Sequence, residues 1–222
     1  MEEIVRFENA SIALNGSPIL EQVNFSLVRG EFCYISGKTG TGKSTFLKAL
    51  YGAAQITDGN AVVLDQDLRL LDPHSRPFFR RKLGMIFQDD LLFRDETVFA
   101  NLDFVLKAID WNDAKERAKR IDELLSALNL TESKDDLVGN LSAGQRRKIS
   151  IARAMLNRPS IILADEPTGN LDGEEADTFM RLMYSLAMAY RCSLVLCTYQ
   201  QNLIENWPAR TYQCWDNSLV EL

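Results

Sequence analysis

The chain has 222 residues, 46% of them hydrophobic and 25% charged, with a formal net charge of −6. These values predict one soluble globular unit with a sizeable core and no second unit of the same kind. The acidic balance argues against DNA or RNA as the main partner, because affinity for a phosphate backbone depends on clustered lysine and arginine. The two basic runs, residues 80–82 and 146–148, are expected to be solvated helix faces, with a partner or lipid headgroups as the alternative contact.

The four cysteines predict no disulfide framework. They have no C-x-x-C spacing, and three of them lie in apolar runs typical of strands, where cysteine behaves as a small buried hydrophobe. The first residues lack the apolar segment of a signal peptide, and no run of about 20 apolar residues could span a bilayer. We therefore expect a cytoplasmic protein that reaches the inner membrane only through a partner.

The first third of the chain predicts strands followed by a glycine-rich loop. Residues 4–35 alternate short apolar runs with turns, a pattern of antiparallel strands. A buried strand over 31–36 then leads into residues 37–44, Gly-Lys-Thr-Gly-Thr-Gly-Lys-Ser, and a helix follows over 44–50. Strand, glycine loop and helix aim successive backbone amides at a phosphate, so we expect phosphate binding here. Further strands are predicted over 61–65 and 85–88.

The middle of the chain predicts helices. Val98, Leu102, Val105 and Ile109 recur at helical spacing, and a second apolar stripe runs from Ala114 to Leu128. A third helix is predicted over roughly 142–157, with Ser142 as its N-cap. We interpret both apolar stripes as core.

The second half of the predicted site is the apolar run of residues 161–164, which ends in Asp165 and Glu166. Such a run is typical of a buried parallel strand, and ligands bind at the carboxyl ends of such strands. Asp165 would hold Mg²⁺ together with Ser44, and Glu166 would polarise the attacking water. The alternative is that the two carboxylates only cap the next turn. A helix over 172–190, a strand over 193–198, a short helix and a terminal strand pair complete the prediction.

These motifs resemble those of ABC ATPases along essentially the whole chain. Residues 141–145 (LSAGQ) resemble the family's signature, Gln88 its Q-loop, and residues 169–172 (GNLD) its D-loop. The sequence of residues 168–172 (TGNLD) is similar to that of a subgroup with FtsE-type cell-division, LolD-type lipoprotein-release and MacB-type export ATPases. Residues 85–89 and the Thr-Val pair at 97–98 look most like the FtsE type.

The resemblance implies an α/β fold: a P-loop NTPase core with a mostly parallel sheet and flanking helices, an N-terminal antiparallel β-subdomain and an inserted helical subdomain. It divides the single nucleotide-binding domain, 1–222, into a core with its β-subdomain (1–88 and 146–222) and a helical subdomain with the signature (89–145). It also implies a head-to-tail homodimer around two ATP molecules, in which each signature completes the partner's site. A membrane partner, an FtsX-like permease, would dock near the Q-loop groove.

The resemblance assigns roles to individual residues. The expected catalytic residues are Glu166, Lys43, Gln88 and Tyr199. Mg²⁺ is expected to bind Ser44, Gln88 and Asp165. The residues expected to contact ATP are Leu14, Gly37, Lys38, Thr39, Gly40, Thr41, Gly42, Lys43, Ser44, Thr45, Gln88, Ser142, Gly144, Gln145 and Asp172.

Two positions depart from the family pattern. Tyr199 stands where relatives have a histidine that contacts the γ-phosphate, and the chain's only histidine is His74, expected in an exposed loop before Gln88. The Tyr199 hydroxyl or Gln200 could donate instead, but we expect slow turnover. Leu14 stands where relatives stack an aromatic ring on adenine, so ATP affinity and base selectivity are expected to be lower.

The sequence therefore predicts an FtsE-like ATPase that dimerises on Mg-ATP and drives a membrane partner in cell division and cell-wall hydrolase control. Two alternatives stay open. One is the motor of a LolD- or MacB-like lipoprotein-release or export transporter. The other is a nucleotide-gated scaffold that hydrolyses weakly.

Overall fold

The structure, a computed structural model, describes residues 2–222, which form ten β-strands and seven α-helices. The strands are β1 (Glu3–Leu14), β2 (Ser17–Val28), β3 (Phe32–Ser36), β4 (Gln55–Val63), β5 (Gln66–Asp67), β6 (Leu83–Ile86), β7 (Ile161–Asp165), β8 (Ser193–Thr198), β9 (Arg210–Trp215) and β10 (Ser218–Glu221). The helices are α1 (Lys43–Leu50), α2 (Arg76–Arg80), α3 (Val98–Ala108), α4 (Ala114–Ala127), α5 (Ala143–Met155), α6 (Gly173–Tyr190) and α7 (Gln201–Asn206). Short 3₁₀ turns occupy Leu68–Leu70, Thr131–Ser133 and Val138–Asn140.

The strands form two sheets. A four-stranded antiparallel sheet has the order β2-β1-β4-β5, and a six-stranded sheet has the order β10-β9-β3-β8-β7-β6. In the larger sheet all neighbours are parallel except β9 and β10. The predicted α/β fold class, with a mostly parallel sheet and an N-terminal antiparallel sheet, is confirmed.

The larger sheet is buried on both faces. Side chains alternate along each strand, so neighbouring residues pack into different hydrophobic clusters. Cys33 and Ile35 of β3 pack with α1 and the antiparallel sheet, in one hydrophobic cluster. Tyr34, between them, belongs to a second cluster with α3, α4, α5 and α6. Leu194 and Leu196 of β8 likewise belong to that second cluster, whereas the residues that alternate with them belong to the first. This double burial explains why these strands are near-continuous apolar runs.

Two predicted strands have different boundaries. The strand expected over 61–65 begins earlier, as β4 at Gln55, and ends at Val63, because Leu64 and Asp65 turn the chain with positive φ values of 50° and 65°. The strand expected over 85–88 is β6, which ends at Ile86, so Gln88 lies in the following loop. The antiparallel strands expected over 4–35 wrongly include most of β3, which pairs in parallel with β8 and β9.

Other expectations agree with the structure. Helices α3, α4, α5 and α6 lie within one or two residues of the predicted spans. All four cysteines are buried and free. His74 is exposed in a turn. Of the helices in residues 2–222, none combines the length and the apolar character needed to cross a bilayer.

Candidate functional site

The glycine-rich loop follows β3 and requires glycine at its tight positions. Gly37 and Gly42 have φ values of 140° and 108°, a region that residues with a Cβ rarely adopt. A Cβ on Gly37 would lie 2.8 Å from the Cys214 carbonyl oxygen, and one on Gly42 would lie 2.9 Å from Leu20 Cδ2. The loop is therefore held closely against β9 and the β2 strand, which fixes where its amides point.

The loop ends at the open N-terminus of α1. The N-cap is Gly42, which provides no side-chain hydrogen bond, and the first turn carries no acidic residue. By contrast, side chains cap the four longer helices α3, α4, α5 and α6. The first amides of α1 therefore lack a side-chain acceptor, and together with the helix dipole they favour an anion such as phosphate.

Lys43, the first residue of α1, lies across the loop. Only 4% of Lys43 is exposed. Its Nζ donates to the carbonyl oxygens of Gly37 at 2.8 Å and Lys38 at 3.0 Å. It also forms an ion pair with Glu166, 3.2 Å from Oε1. The ammonium group is thus fixed at the mouth of the loop, where it can reach a bound phosphate.

Ser44 and Asp165 meet although they lie 121 residues apart. The Ser44 hydroxyl donates to Asp165 Oδ1 at 3.0 Å. Burial raises the pKa of Asp165, whereas the Ser44 hydrogen bond and the Lys43 charge oppose that rise. A hydroxyl and a carboxylate fit Mg²⁺, which binds oxygen and takes few protein ligands beside substrate phosphates and waters. Among residues 2–222, no group of three or more His, Cys, Asp or Glu side chains could hold a metal. The pair would therefore need such phosphate and water ligands.

Glu166 follows β7 and is 9% exposed. Its backbone is in the left-handed region, with φ of 46°, and its amide donates to the Cys197 carbonyl oxygen at 3.0 Å. Burial raises the pKa of Glu166, while the charge and hydrogen bond of Lys43 oppose that rise. A carboxylate with a raised pKa is a better proton acceptor, which suits a general base.

Tyr199 reaches Glu166 through its backbone. The Tyr199 amide donates to Glu166 Oε2 at 3.3 Å, and 53% of the residue is exposed. The next residue, Gln200, is bound to Thr168: the Thr168 hydroxyl donates to Gln200 Oε1 at 2.7 Å, and Gln200 Nε2 donates to the Thr168 carbonyl oxygen at 3.4 Å. The structure thus brings Tyr199 next to Glu166, and the sequence gave no sign that the backbone amide would make this contact.

Gln88 lies beside the turn that follows Glu166. A Cβ on Gly169 would be 3.7 Å from Gln88 Nε2. The backbone around Gln88 is held by Arg147, whose guanidinium donates to the carbonyl oxygens of Phe87 and Gln88, each at 2.9 Å. Arg147 is only 8% exposed, so the expected solvated face over 146–148 is wrong at this residue. Burial lowers the pKa of Arg147, and neighbouring Asp90 and Asp89 oppose that shift.

Two signature residues, Ser142 and Gln145, bond to each other at the start of α5. Ser142 caps α5, because its hydroxyl accepts from the Gln145 amide at 3.2 Å, and Gln145 Oε1 accepts from the Ser142 amide at 3.0 Å. Ser142 is exposed, and a Cβ on Gly144 would meet no atom within 4 Å. The structure thus confirms the predicted cap and does not bond these residues to Lys43.

Asp172 is the N-cap of α6, and Leu14 is the last residue of β1. Asp172 caps α6 and accepts from the Glu175 amide at 2.9 Å. It lines a groove of about 220 Å³ together with Gly144. Leu14 is half-buried at the end of β1, next to the Asn15-Gly16 turn. That hairpin approaches the loop through Leu20 at Gly42.

Comparison with known proteins agrees with this geometry. Residues 20–169 match the family model described as ABC transporter. The cell division ATP-binding protein FtsE of Bacillus subtilis (strain 168) is 33% identical, over 93% of this chain and 90% of its own length. FtsE of Escherichia coli (strain K12) is 32% identical over 97% of each chain. The lipoprotein-releasing system ATP-binding protein LolD of Treponema denticola is 35% identical, over 92% of this chain and 90% of its own.

Solved structures share this fold. CbiO1 of Clostridium perfringens shares the fold, with a TM-score of 0.90 and 22% identity over 99% of this chain and 88% of its own. The ATP-binding cassette MJ0796, described as a dimeric post-hydrolysis state bound to ADP and Pi, has a TM-score of 0.83 and is 29% identical, over 97% of this chain and 96% of its own. The chain belongs to the ABC transporter family and is a nucleotide-binding ATPase subunit similar to FtsE and LolD.

Proposed function

We propose that this chain is an FtsE-like subunit of a membrane ABC complex that dimerises on Mg-ATP, hydrolyses ATP and drives an FtsX-like partner. The complex would act in cell division and would control cell-wall hydrolases. The observation that carries the proposal is the meeting of Lys43, Ser44, Asp165 and Glu166 at one edge of the parallel sheet. The FtsE relatives, which align along nearly the whole chain, support the cell-division role.

The residues of the glycine loop bind the triphosphate. Amides of residues 37–45 and the open start of α1 surround the phosphate oxygens, and Lys43 contacts the β- and γ-phosphates. Ser44, Asp165 and Gln88 would hold Mg²⁺, which when bound neutralises charge on the β- and γ-phosphate oxygens. Glu166 orients the attacking water and accepts its proton, helped by the raised pKa that burial gives it. Leu14 gives the adenine only apolar contact.

A second copy of the chain completes the site. Ser142 and the N-terminus of α5 are exposed, and they bond to nothing around Lys43. In a head-to-tail dimer they would face the γ-phosphate held by the other subunit, with Gly144, Gln145 and Asp172 close by. The dimeric ADP-bound structure of MJ0796 supports this arrangement. ATP then joins the subunits, and hydrolysis releases them.

The membrane partner would dock beside Gln88. Phe87, Leu91, Phe93 and Phe104 are exposed there, and the rings of Phe93 and Phe104 lie 5.3 Å apart. Exposed apolar groups that lie together are typical of interaction sites. In this proposal residues 89–145 form the helical subdomain, residues 1–88 and 146–222 form the core, and the partner's helix binds between them. The chain would act on the cytoplasmic face of the inner membrane.

Two alternatives have specific support. LolD of Treponema denticola is as similar as the FtsE relatives, which favours the motor of a lipoprotein-release or MacB-like export transporter. Tyr199 in place of the family's histidine favours a scaffold that binds ATP and hydrolyses it weakly. The retained Glu166 argues against that scaffold.

Phosphate release from the complex with its membrane partner tests the proposal. We expect slow release by the wild type and almost none by Glu166→Gln. Identical rates in the two proteins would favour the scaffold. Co-purification from membranes, followed by mass spectrometry, identifies the partner: an FtsX-like permease supports the cell-division role, and a lipoprotein-release permease supports the alternative.

A further inference from the structure

The contact between Tyr199 and Glu166 depends on a short turn. Tyr199 follows the last residue of β8, and its amide donates to Glu166 Oε2 at 3.3 Å. That distance is at the long end for an N–H···O bond, so a small shift of the turn would break it. The other carboxylate oxygen, Oε1, faces Lys43 at 3.2 Å. Each oxygen of Glu166 therefore has one donor.

The side chain of Gln200 ties this turn to the loop that carries Glu166. Both ends of its amide bind Thr168: Oε1 accepts from the hydroxyl at 2.7 Å, and Nε2 donates to the carbonyl oxygen at 3.4 Å. Thr168 is completely buried, so it is a fixed anchor. The backbone amide of Gln200 also donates to Thr198 Oγ1 at 3.0 Å, which keeps the turn compact.

The loop itself is held at its beginning. The Glu166 amide donates to the Cys197 carbonyl oxygen at 3.0 Å, and the Gly169 amide donates to the Glu166 carbonyl oxygen at 3.1 Å. These bonds fix the backbone of Glu166 but not its side chain. The carboxylate position depends on Lys43 and on the Tyr199 amide, and the Tyr199 amide depends on the anchor at Thr168.

We propose that Gln200 is a positioning residue, whose bonds to Thr168 hold the Tyr199 amide against the Glu166 carboxylate. The inference rests on the proposed function, because it assigns Gln200 a part in hydrolysis. In this chain the residue at position 199 acts through its main chain, and its neighbour's side chain fixes the geometry. When a bound phosphate replaces Glu166 as the partner of Lys43, the Tyr199 amide still orients the Glu166 carboxylate.

Replacement of Gln200 by leucine tests the proposal against a matched control. Gln200→Leu keeps the size of the side chain and removes both bonds to Thr168. Gln201→Leu makes the same change at the next, exposed residue. We expect Gln200→Leu to lower kcat about tenfold or more, since small displacements of a catalytic group are costly. The affinity for ATP should stay within about twofold, because in our proposal the glycine loop and Lys43 make most of the contacts to the phosphates. Gln201→Leu should match the wild type in both values.

Two further measurements separate positioning from a general structural effect. In a Glu166→Gln background, Gln200→Leu should lower the residual rate no further, since the group it positions is gone. The amide resonance of Tyr199 in protein labelled with ¹⁵N-tyrosine should shift in Gln200→Leu and in Thr168→Val, and stay in place in Gln201→Leu.

Three results would overturn the inference: a wild-type kcat in Gln200→Leu, a full further loss in the Glu166→Gln background, or an unchanged Tyr199 resonance. A wild type that releases no phosphate, even with its partner, would instead refute the proposed hydrolysis. The resonance experiment would still test whether Gln200 sets the Tyr199 contact.

Discussion

Lys43 Nζ lies 3.2 Å from Glu166 Oε1, and both residues are nearly buried. The proposed phosphate ligand and the proposed base are thus counter-ions of each other. Removing one member of a buried pair leaves the other charge uncompensated, at a cost of several kcal/mol. In our proposal the γ-phosphate takes over as the counter-charge of Lys43, and Glu166 is then free to contact water.

Gly144→Ala should separate folding from dimerisation. A Cβ at Gly144 meets no atom within 4 Å, and alanine favours a helix over glycine by about 0.5–1 kcal/mol. We therefore expect unchanged or slightly higher thermal stability and unchanged ATP binding by the monomer. ATP-dependent dimerisation should fail, because the partner's phosphate would approach this position closely.

Gly37→Ala is the contrasting variant for that experiment. Its Cβ would lie 2.8 Å from the Cys214 carbonyl oxygen, so ATP binding itself should be lost. A Gly144→Ala protein that dimerises normally with Mg-ATP, measured by light scattering, would show that no partner approaches the α5 N-terminus.

Tyr199→His should raise the rate of phosphate release by about tenfold or more, since a placed acid or base group contributes at least that much. The exposed side chain makes the substitution tolerable. Tyr199→Phe should keep the wild-type rate, because the backbone amide makes the contact with Glu166. If the histidine variant is no faster than the wild type, the departure at residue 199 is compensated and the expectation of slow turnover is wrong.

Leu14→Tyr should tighten nucleotide binding. Base stacking on an aromatic ring contributes roughly 1–3 kcal/mol, which leucine cannot supply. Titration calorimetry should show tighter ATP binding by the variant, and similar affinities for ATP and GTP in the wild type. Tight, ATP-selective binding by the wild type would contradict this account of Leu14.

Asp103→Ala should destabilise the fold by about 3–5 kcal/mol at neutral pH, as expected when one partner of a buried ion pair is removed. Asp103 binds Arg117 at 2.6 Å and Lys107 at 2.7 Å. Burial alone would raise the pKa of Asp103, but the hydrogen bonds and charges of Lys107 and Arg117 lower it below its usual value. Chemical denaturation measures the free energy of unfolding.

The pH dependence of that difference follows from the direction of the shift. Because the folded pKa lies below the unfolded one, the stabilisation is present above the unfolded pKa and is lost as pH falls through the folded pKa. The difference between wild type and Asp103→Ala should therefore shrink in acid. Asp122→Ala, which removes an exposed pair with Lys134, should cost less than about 1 kcal/mol. Equal costs for the two variants would refute the account.

Apolar runs and helical stripes predicted most of the individual strands and helices, and the arrangement of these elements was predicted from the family resemblance. The runs at β3, β7 and β8 are clear because these strands are buried on both faces. The errors have local causes. Strand β4 continues through polar residues 57–60 at a bulge, where a Cβ on Gly59 would lie 2.2 Å from the Asn9 carbonyl oxygen. Strand β6 begins at Leu83-Gly84, where glycine allows the Ala154 carbonyl of α5 to approach. Glycine is uncommon inside strands, so the apolar patterns did not extend to either place.

The glycine-loop motif and the apolar run before Asp165 predicted that Lys43, Ser44, Asp165 and Glu166 lie together, because each motif ends a strand or begins a helix. Arg147 was not predictable in the same way, since its acceptors are backbone carbonyl oxygens of residues 87 and 88. Every residue has a backbone carbonyl oxygen, so the residue types do not show which of them accepts a hydrogen bond. The Gln200 anchor at Thr168 was missed for a related reason, since it pairs two uncharged residues 32 positions apart.

The molecular mass of Glu166→Gln, with and without Mg-ATP, tests the central claim most directly. Without hydrolysis the ATP-bound state persists, so the account predicts a monomer that becomes a dimer when Mg-ATP is added. Adding Ser142→Ala to the same protein should weaken that dimer. A protein that stays monomeric with Mg-ATP, even in the presence of its membrane partner, would contradict the account.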